Sequence, residues 1–489
     1  MEQFYDVVVI GGGVVGSAIA RELTRYRLKV AVLEKESDVC TQTSGRNTGM
    51  LHAGFLYKTG TLKAICAVEG NQEYGQVAEE LDVPFRRTGK LIVGFTQEDR
   101  ERLEAFKARG EANGVKGLEI IDRARMDTLD PSAGGNFAMW SPDSGILDPF
   151  AYTIALAENA AHNGAEYFLN CTFLSETRHA DSSHLLHTTR GDFCTRWVVN
   201  AAGLQSARVS EALGIPGYVV RGVKGEYFVL DKKAGRDTPI PVYPAPNSDN
   251  TFGIHATPTV DGNVLVGPDS TVTEDFGDYK ATQASMDGLV ADGSRMFRHM
   301  DRAFFIRNFA GIRPKRVDPV TGQVQDFLLE CRDDVPGVVN LVGIESPGLT
   351  SALPLARRAV ALISGRETLE ENPAFDPIRQ GILRFAEQNR ETQATLITQN
   401  RDYGEVICRC ECVTRAEILQ AIHNPLGVHT VNGIKVRTRA TMGRCQGGYC
   451  EMRITRMLRE ELGLSIGEIE LGPKGSWMFT GSVKGGEAL

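Results

Sequence analysis

The sequence predicts a mixed α/β and α+β chain. One parallel-stranded domain is assembled from discontinuous pieces, a mixed-sheet domain is interleaved with it, and a small helical module lies near the C-terminus. Three observations carry this expectation. A glycine-rich turn at 11–16 separates a short apolar strand from an amphipathic helix. Two further apolar strands, far along the chain, also end in small residues. Five of the ten cysteines crowd between Cys408 and Cys450.

The first piece starts on the strand Tyr5 to Ile10, whose run Val7-Val8-Val9-Ile10 suits burial on both faces. Val15, Ile19 and Leu23 recur at helical spacing, and Val30 to Leu33 form the next strand. Between them, Gly11-Gly12-Gly13-Val14-Val15-Gly16 matches G-x-G-x-x-G. Gly11 permits the tight turn, Gly13 lets the backbone approach a pyrophosphate, and Gly16 lets helix and strand pack closely. The helix N-terminus presents unpaired N–H groups to that anion. Glu34 ends the second strand, 23 residues after Gly11, where a carboxylate can accept hydrogen bonds from a ribose diol. This is a Rossmann-like dinucleotide site, and the pattern alone does not choose FAD over NAD.

Trp197 to Val199 run into Asn200-Ala201-Ala202-Gly203, and Val338 to Val342 run into Gly343 and the loop up to Gly348. One nucleotide-binding domain built from separated segments explains the repetition of this device. Residues 150–163 read as helix, and 219–230 and 251–267 as β-rich. The polar stretch 366–403, with Pro373 and Pro377, reads as a connecting helix or linker. The cysteine module follows at 404–470, and a Gly-rich tail at 471–489 is expected to be loosely ordered.

Hydrophobic residues make up 42% of the 489 and charged residues 24%, a balance that supports a sizeable core. A formal net charge of −8 argues against nucleic-acid binding, which needs a basic surface, while leaving room for a small anionic substrate held by local Arg or Lys. No secretory pattern and no apolar run long enough to span a bilayer is visible, so a cytoplasmic protein is expected, with peripheral membrane contact left open. Thiols kept reduced there make the cysteine cluster a metal site rather than a disulfide framework.

The segment Thr43-Ser44-Gly45-Arg46-Asn47-Thr48-Gly49-Met50-Leu51-His52-Ala53-Gly54 resembles the FAD-dependent family that includes D-amino-acid oxidase, glycerol-3-phosphate dehydrogenase and L-2-hydroxyglutarate dehydrogenase. The resemblance continues through Asn200-Ala201-Ala202-Gly203, His255-Ala256-Thr257-Pro258, Gly311-Ile312-Arg313-Pro314 and Gly343 to Thr350, and covers nearly all of 1–365. It implies FAD-binding pieces at about 1–75, 145–215 and 330–365, with a substrate domain at about 76–144 and 216–329. It also implies that Thr43, Ser44, Arg46 and Asn47 run beside the flavin. Ala201, Gly203, Gly343, Gly348, Leu349 and Thr350 then join the glycine turn in holding the cofactor, the last loop stabilising charge at flavin N1–C2=O.

The same resemblance places His52 near the isoalloxazine, as general base, covalent anchor or simple positioning group. His255 is a second base candidate. Arg313, held extended by Pro314, is the expected clamp for a substrate carboxylate or phosphate. Lys224 is a weaker candidate for that wall, and Lys315 and Arg316 are expected in solvent.

Cys408-Arg409-Cys410 and Cys445-Gln446-Gly447-Gly448-Tyr449-Cys450 form C-x-C and C-x4-C pairs. Four thiolates suit zinc or a [2Fe–2S] cluster on softness alone, although zinc more often uses C-x2-C. The segment resembles the bacterioferritin-associated-ferredoxin-like domain, also found at the C-terminus of the anaerobic glycerol-3-phosphate dehydrogenase large subunit. That implies a [2Fe–2S] cluster on Cys408, Cys410, Cys445 and Cys450. Cys412 is then a spare thiol, or a replacement for Cys410. Thr414 and Glu417 form a capping box opening a helix with Ile418 and Ile422.

A flavin accepts two electrons together and a [2Fe–2S] cluster carries one, which favours a dehydrogenase feeding an electron-acceptor protein or partner subunit. The resemblance of Gly45-Arg46-Asn47 through His52, and of the cysteine module, to glycerol-3-phosphate dehydrogenase implies oxidation of sn-glycerol 3-phosphate to dihydroxyacetone phosphate as the expected reaction. A 2-hydroxy acid such as L-2-hydroxyglutarate, an amino acid or secondary amine, and a substrate-free electron carrier are the other readings.

Overall fold

The computed structural model describes residues 3–236, 238–247, 252–298 and 300–481. The strand Gln3–Ile10 lies at the centre of the first sheet, parallel to Val30–Leu33 on one side and to Gly191–Asn200, from Phe193 onward, on the other. Val338–Val342 continues the sheet, parallel to Gly191–Asn200. Ile10, Asn200 and Asn340 are therefore in register, and three loops distant in sequence open at one edge. The expectation of one domain assembled from separated pieces holds. A buried Asn200–Asn340 side-chain hydrogen bond of 2.8 Å ties two of these strand ends together.

The helices Val14–Leu23, Pro149–His162 and Gly348–Ser364 cover one face of this sheet. Val7, Val9, Ile19, Leu156, Val199 and Ala356 meet in its largest core cluster. Such burial on both sides is what a continuous apolar strand requires. Gly16 permits the closest approach, since a Cβ there would lie 1.9 Å from the Gly11 carbonyl oxygen.

A second, mixed sheet of nine strands among the described residues is built from 90–141 and 219–317. Its spine is the long antiparallel pair Val219–Leu230 and Phe305–Val317. The two sheets meet where a Cβ on Gly311 would stand 1.9 Å from the Arg46 carbonyl oxygen, so the flavin-side loop presses directly on the second sheet.

The C-terminal module packs Arg415–Ile422, Val431–Thr438 and Glu451–Leu462 around Ile418, Ile422, Ile434, Ile454 and Leu458. The capping box at Thr414 and Glu417 is present. Buried Arg437 reaches Asp38 of the first domain at 2.6 Å, and Arg439 reaches Asp261 of the second at 2.7 Å. The segment before the module is strapped to the first domain: Arg379 bonds Glu158 at 2.6 Å and the Pro377 carbonyl accepts from Arg21. The tail departs from expectation at its start. The Gly472 carbonyl accepts from Ser37 at 2.6 Å, and Glu470 bridges Trp477, which ties 470–478 down. Residues 482–489 of the tail lie outside the described residues. Among the described residues no helix is long and apolar enough to cross a membrane.

Candidate active site and cysteine centre

A cavity of about 1560 Å³ runs from the glycine turn, past the carboxyl ends of the first sheet, to the face of the second. This is the crevice where parallel sheets bind nucleotides. Gly11 has φ +113° and a Cβ there would meet the Ala201 carbonyl oxygen at 2.5 Å, so the turn depends on glycine. Gly13, Ser44 and Gly203 line the cavity, and the Val14 N–H at the helix start donates to Ser44 Oγ at 3.0 Å. Glu34 also lines it, accepting from the Gly12 N–H at 2.7 Å and the Glu36 N–H at 2.9 Å. Burial pushes its carboxyl up against those two donors.

Thr43 donates to the Ile312 carbonyl, and Asn47 staples its own loop through the Thr43 and Ser44 carbonyls. Arg46 forms no ion pair among the described residues; it lies 4.2 Å over the Tyr279 ring and donates to the Thr41 and Ala310 carbonyls. It braces loop to sheet. Ala201, Gly348 and Leu349 lie on the cavity wall, whereas Gly16, Gly343 and Thr350 lie behind it. Gly343 has φ +74° and abuts Arg316, and Thr350 accepts the His52 N–H at 3.0 Å. These three support the wall.

His52, His255 and Arg313 converge on the cavity from different elements. His52 Nε2 is 3.3 Å from Ser346 Oγ. Burial, with a smaller contribution from the Lys90 charge, pushes its imidazole down to about 3. His255 is stacked 3.7 Å from Tyr243, with Nδ1 3.1 Å from Thr257 Oγ1. Burial, then Lys90, His52 and Arg313, hold it far below the usual range. Both imidazoles are therefore uncharged at neutral pH and available as proton acceptors. Arg313 donates to the Val223 and Asp269 carbonyls and has no carboxylate partner among the described residues.

Two expectations change. Lys224 is buried in ion pairs with Asp278 at 2.9 Å and Glu226 at 3.4 Å, and it does not reach the cavity wall. Lys315 is half-buried on that wall, and Arg316, on the opposite face of the same strand, is half-buried and donates to the Asp326 carbonyl.

Four contributors were not read from sequence. Tyr57 and Tyr243 line the cavity, and half-buried Lys63 pairs with buried Glu345 at 2.6 Å. Lys90 is 1% exposed, with Nζ 4.3 Å from the Tyr243 ring centroid, 4.9 Å from Phe55 and 5.1 Å from Phe252. Burial pushes its ammonium down to about 7. A lysine opening the apolar run Leu91-Ile92-Val93 was the only local sign.

The four cysteines form two pairs. Cys408 shares a hydrogen bond with Cys450, both buried, and Cys410 shares one with Cys445, both exposed. Backbone N–H groups of Glu411 and Thr441 serve Cys408, and those of Gly447 and Tyr449 serve Cys445. Four thiols in two pairs, served by backbone N–H donors, suit the four cysteine ligands of a [2Fe–2S] cluster. Left-handed backbone at Cys412, Arg439, Thr441 and Gln446 surrounds them, strain of the kind found at functional sites. Cys412 Sγ turns to the Arg409 carbonyl and stands outside both pairs.

Residues 6–362 match the family model "FAD dependent oxidoreductase", and 406–460 match "BFD-like [2Fe-2S] binding domain". The chain belongs to the FAD-dependent oxidoreductase family. It is 35% identical to a glycerol 3-phosphate dehydrogenase of Caloramator mitchellensis over 98% of this chain and 99% of that protein. It is 29% identical to the mitochondrial L-2-hydroxyglutarate dehydrogenase of Caenorhabditis elegans over 72% of this chain and 92% of that one. Among solved structures it resembles the FAD-bound L-alpha-glycerophosphate oxidase of Mycoplasma pneumoniae, with a TM-score of 0.72, 26% identity, and coverage of 77% of this chain and 98% of that one. The protein is thus an FAD-dependent oxidoreductase with a C-terminal [2Fe–2S] domain.

Proposed function

We propose that this protein is a dehydrogenase that oxidises sn-glycerol 3-phosphate to dihydroxyacetone phosphate. FAD, when bound, supplies the hydride acceptor at N5, and the [2Fe–2S] cluster supplies a one-electron exit. The observation that carries the reading is Arg313, on the cavity wall with no carboxylate partner among the described residues, beside two uncharged histidines. Its guanidinium, with Lys315 nearby on the wall, clamps the substrate phosphate. His52 or His255 accepts the hydroxyl proton while aromatic walls exclude water. The 35% identical, full-length relative supports the choice of substrate.

Gly11, Gly13, Glu34 and Ser44 hold the dinucleotide, and Cys408, Cys450, Cys410 and Cys445 hold the cluster. The cysteines form no disulfide among the described residues, which suits the reducing cytoplasm. L-2-hydroxyglutarate is the second reading, favoured by the 29% identical relative. Anaerobic addition of glycerol 3-phosphate, L-2-hydroxyglutarate and a panel of amino acids decides: glycerol 3-phosphate bleaches the flavin within one turnover. Bleaching only by another compound reassigns the substrate, and bleaching by none leaves an electron carrier.

A further inference from the structure

We propose that the exposed cysteine pair and the cationic rim around it form the docking surface for an acidic protein that carries one electron. The proposal rests on the reading that electrons leave through the cysteine module. The two pairs differ in placement: Cys408 and Cys450 are buried, Cys410 and Cys445 are at the surface. Electron transfer to a partner needs close approach, and this edge of the module allows it.

The rim is basic. The Arg444 side chain is 56% exposed and touches a carboxylate, Asp231, only at 4.0 Å. Arg409 lies 4.2 Å over the Tyr449 ring and has no carboxylate partner among the described residues. Arg453 sits 5.5 Å from the same ring, so exposed Tyr449 is fixed between two guanidiniums. A rigid aromatic flanked by arginines is the composition of an interface hot spot. Met452, 57% exposed, adds an apolar contact. Several neighbouring acids are engaged: Glu411 by Arg439 at 3.0 Å and Lys232 at 2.9 Å, and Glu405 by Arg453 at 3.3 Å; Glu451, beside Cys450, is the acid on this edge that stays outside those pairs. Lys233, exposed in the short adjacent helix Lys232–Gly235, extends the positive face.

The whole chain carries −8, so a locally positive face selects partners that the molecule as a whole would repel. Each docking event moves one electron: the module is oxidised by one and the carrier reduced by one. Two carriers dock in succession for each alcohol oxidised, and the two protons released leave to solvent.

The test uses full-length holoprotein reduced with stoichiometric dithionite, so the identity of the substrate does not enter. Two one-electron protein oxidants of opposite charge serve as probes, acidic plastocyanin and basic cytochrome c. Reoxidation by plastocyanin should slow about tenfold as ionic strength rises from about 10 to about 300 mM. Calorimetry of the oxidised proteins should show the same loss of affinity. Arg409→Glu combined with Arg444→Glu should abolish the salt dependence and weaken plastocyanin binding about tenfold, with substrate bleaching of the flavin unchanged. Lys233→Glu, on a different segment of the chain from the cysteines, should weaken binding about twofold in the same direction. A wild-type preference for cytochrome c, which the overall charge would produce, overturns the proposal. So does a double variant with intact iron and an unchanged salt slope. If the double variant loses iron, unaltered binding by Lys233→Glu overturns it.

Discussion

The crevice between the sheets and the cysteine module treat water in opposite ways. In the crevice, burial lowers the His52, His255 and Lys90 side chains far enough to keep two bases uncharged and one ammonium poised near neutrality. In the module, two of the four paired thiols are left at the surface. Moving a hydride and a proton together demands a dry, fixed geometry, whereas passing single electrons demands proximity to a partner. One chain meets both demands by separating them, and Arg437–Asp38 and Arg439–Asp261 hold the two regions in fixed relation.

The hardest test of that separation is Cys445→Ser. Iron should fall from about two per chain to near zero, and turnover with a one-electron acceptor should drop more than about a hundredfold, while substrate still bleaches the flavin at the wild-type rate. Loss of bleaching in a preparation with full flavin content would show that the regions are not independent.

Within the crevice, His52→Gln and His255→Gln separate base from positioning group. The base variant should slow anaerobic flavin reduction about 10²–10⁴-fold, the other less than about tenfold. Next in size, Arg313→Met should raise the KM for an anionic substrate about 10²–10³-fold, with Arg313→Lys recovering part of it. An unchanged KM would remove Arg313 as the clamp.

The smallest effect concerns Lys90. Its ammonium is held at about 7 against an ordinary 10.5. Below pH 7 folded and unfolded chains both carry the proton, and the folded chain bears the full cost of burying it. Between 7 and 10.5 the unfolded chain keeps the proton longer, so stability gained by deprotonation rises with pH across that window. Lys90→Met should flatten this slope and raise the melting temperature by about a few degrees at pH 6, while weakening anion affinity there a few-fold. A melting temperature that falls at pH 6 would show that the three rings more than offset the burial of the charge.

Much of the site was readable because its parts are local. The glycine turn needs specific backbone freedom at Gly11, and the capping box at Thr414 and Glu417 closes within four residues. The linear pattern could not show that Lys224 is taken up by Asp278, or that Gly343 and Thr350 stand behind the wall rather than on it. Lys90 illustrates the limit: the rings around it come from positions 55, 243 and 252, and only folding brings them to one ammonium.

By itself the sequence determined the strand–turn–helix at 5–36, the discontinuous assembly, and the cysteine spacing, because each follows from backbone sterics or short-range periodicity. Only the tertiary structure decided which histidines and which arginine share a cavity, and that one thiol pair is buried while the other is exposed. Those outcomes depend on desolvation and on contacts between segments hundreds of residues apart, which no local pattern encodes.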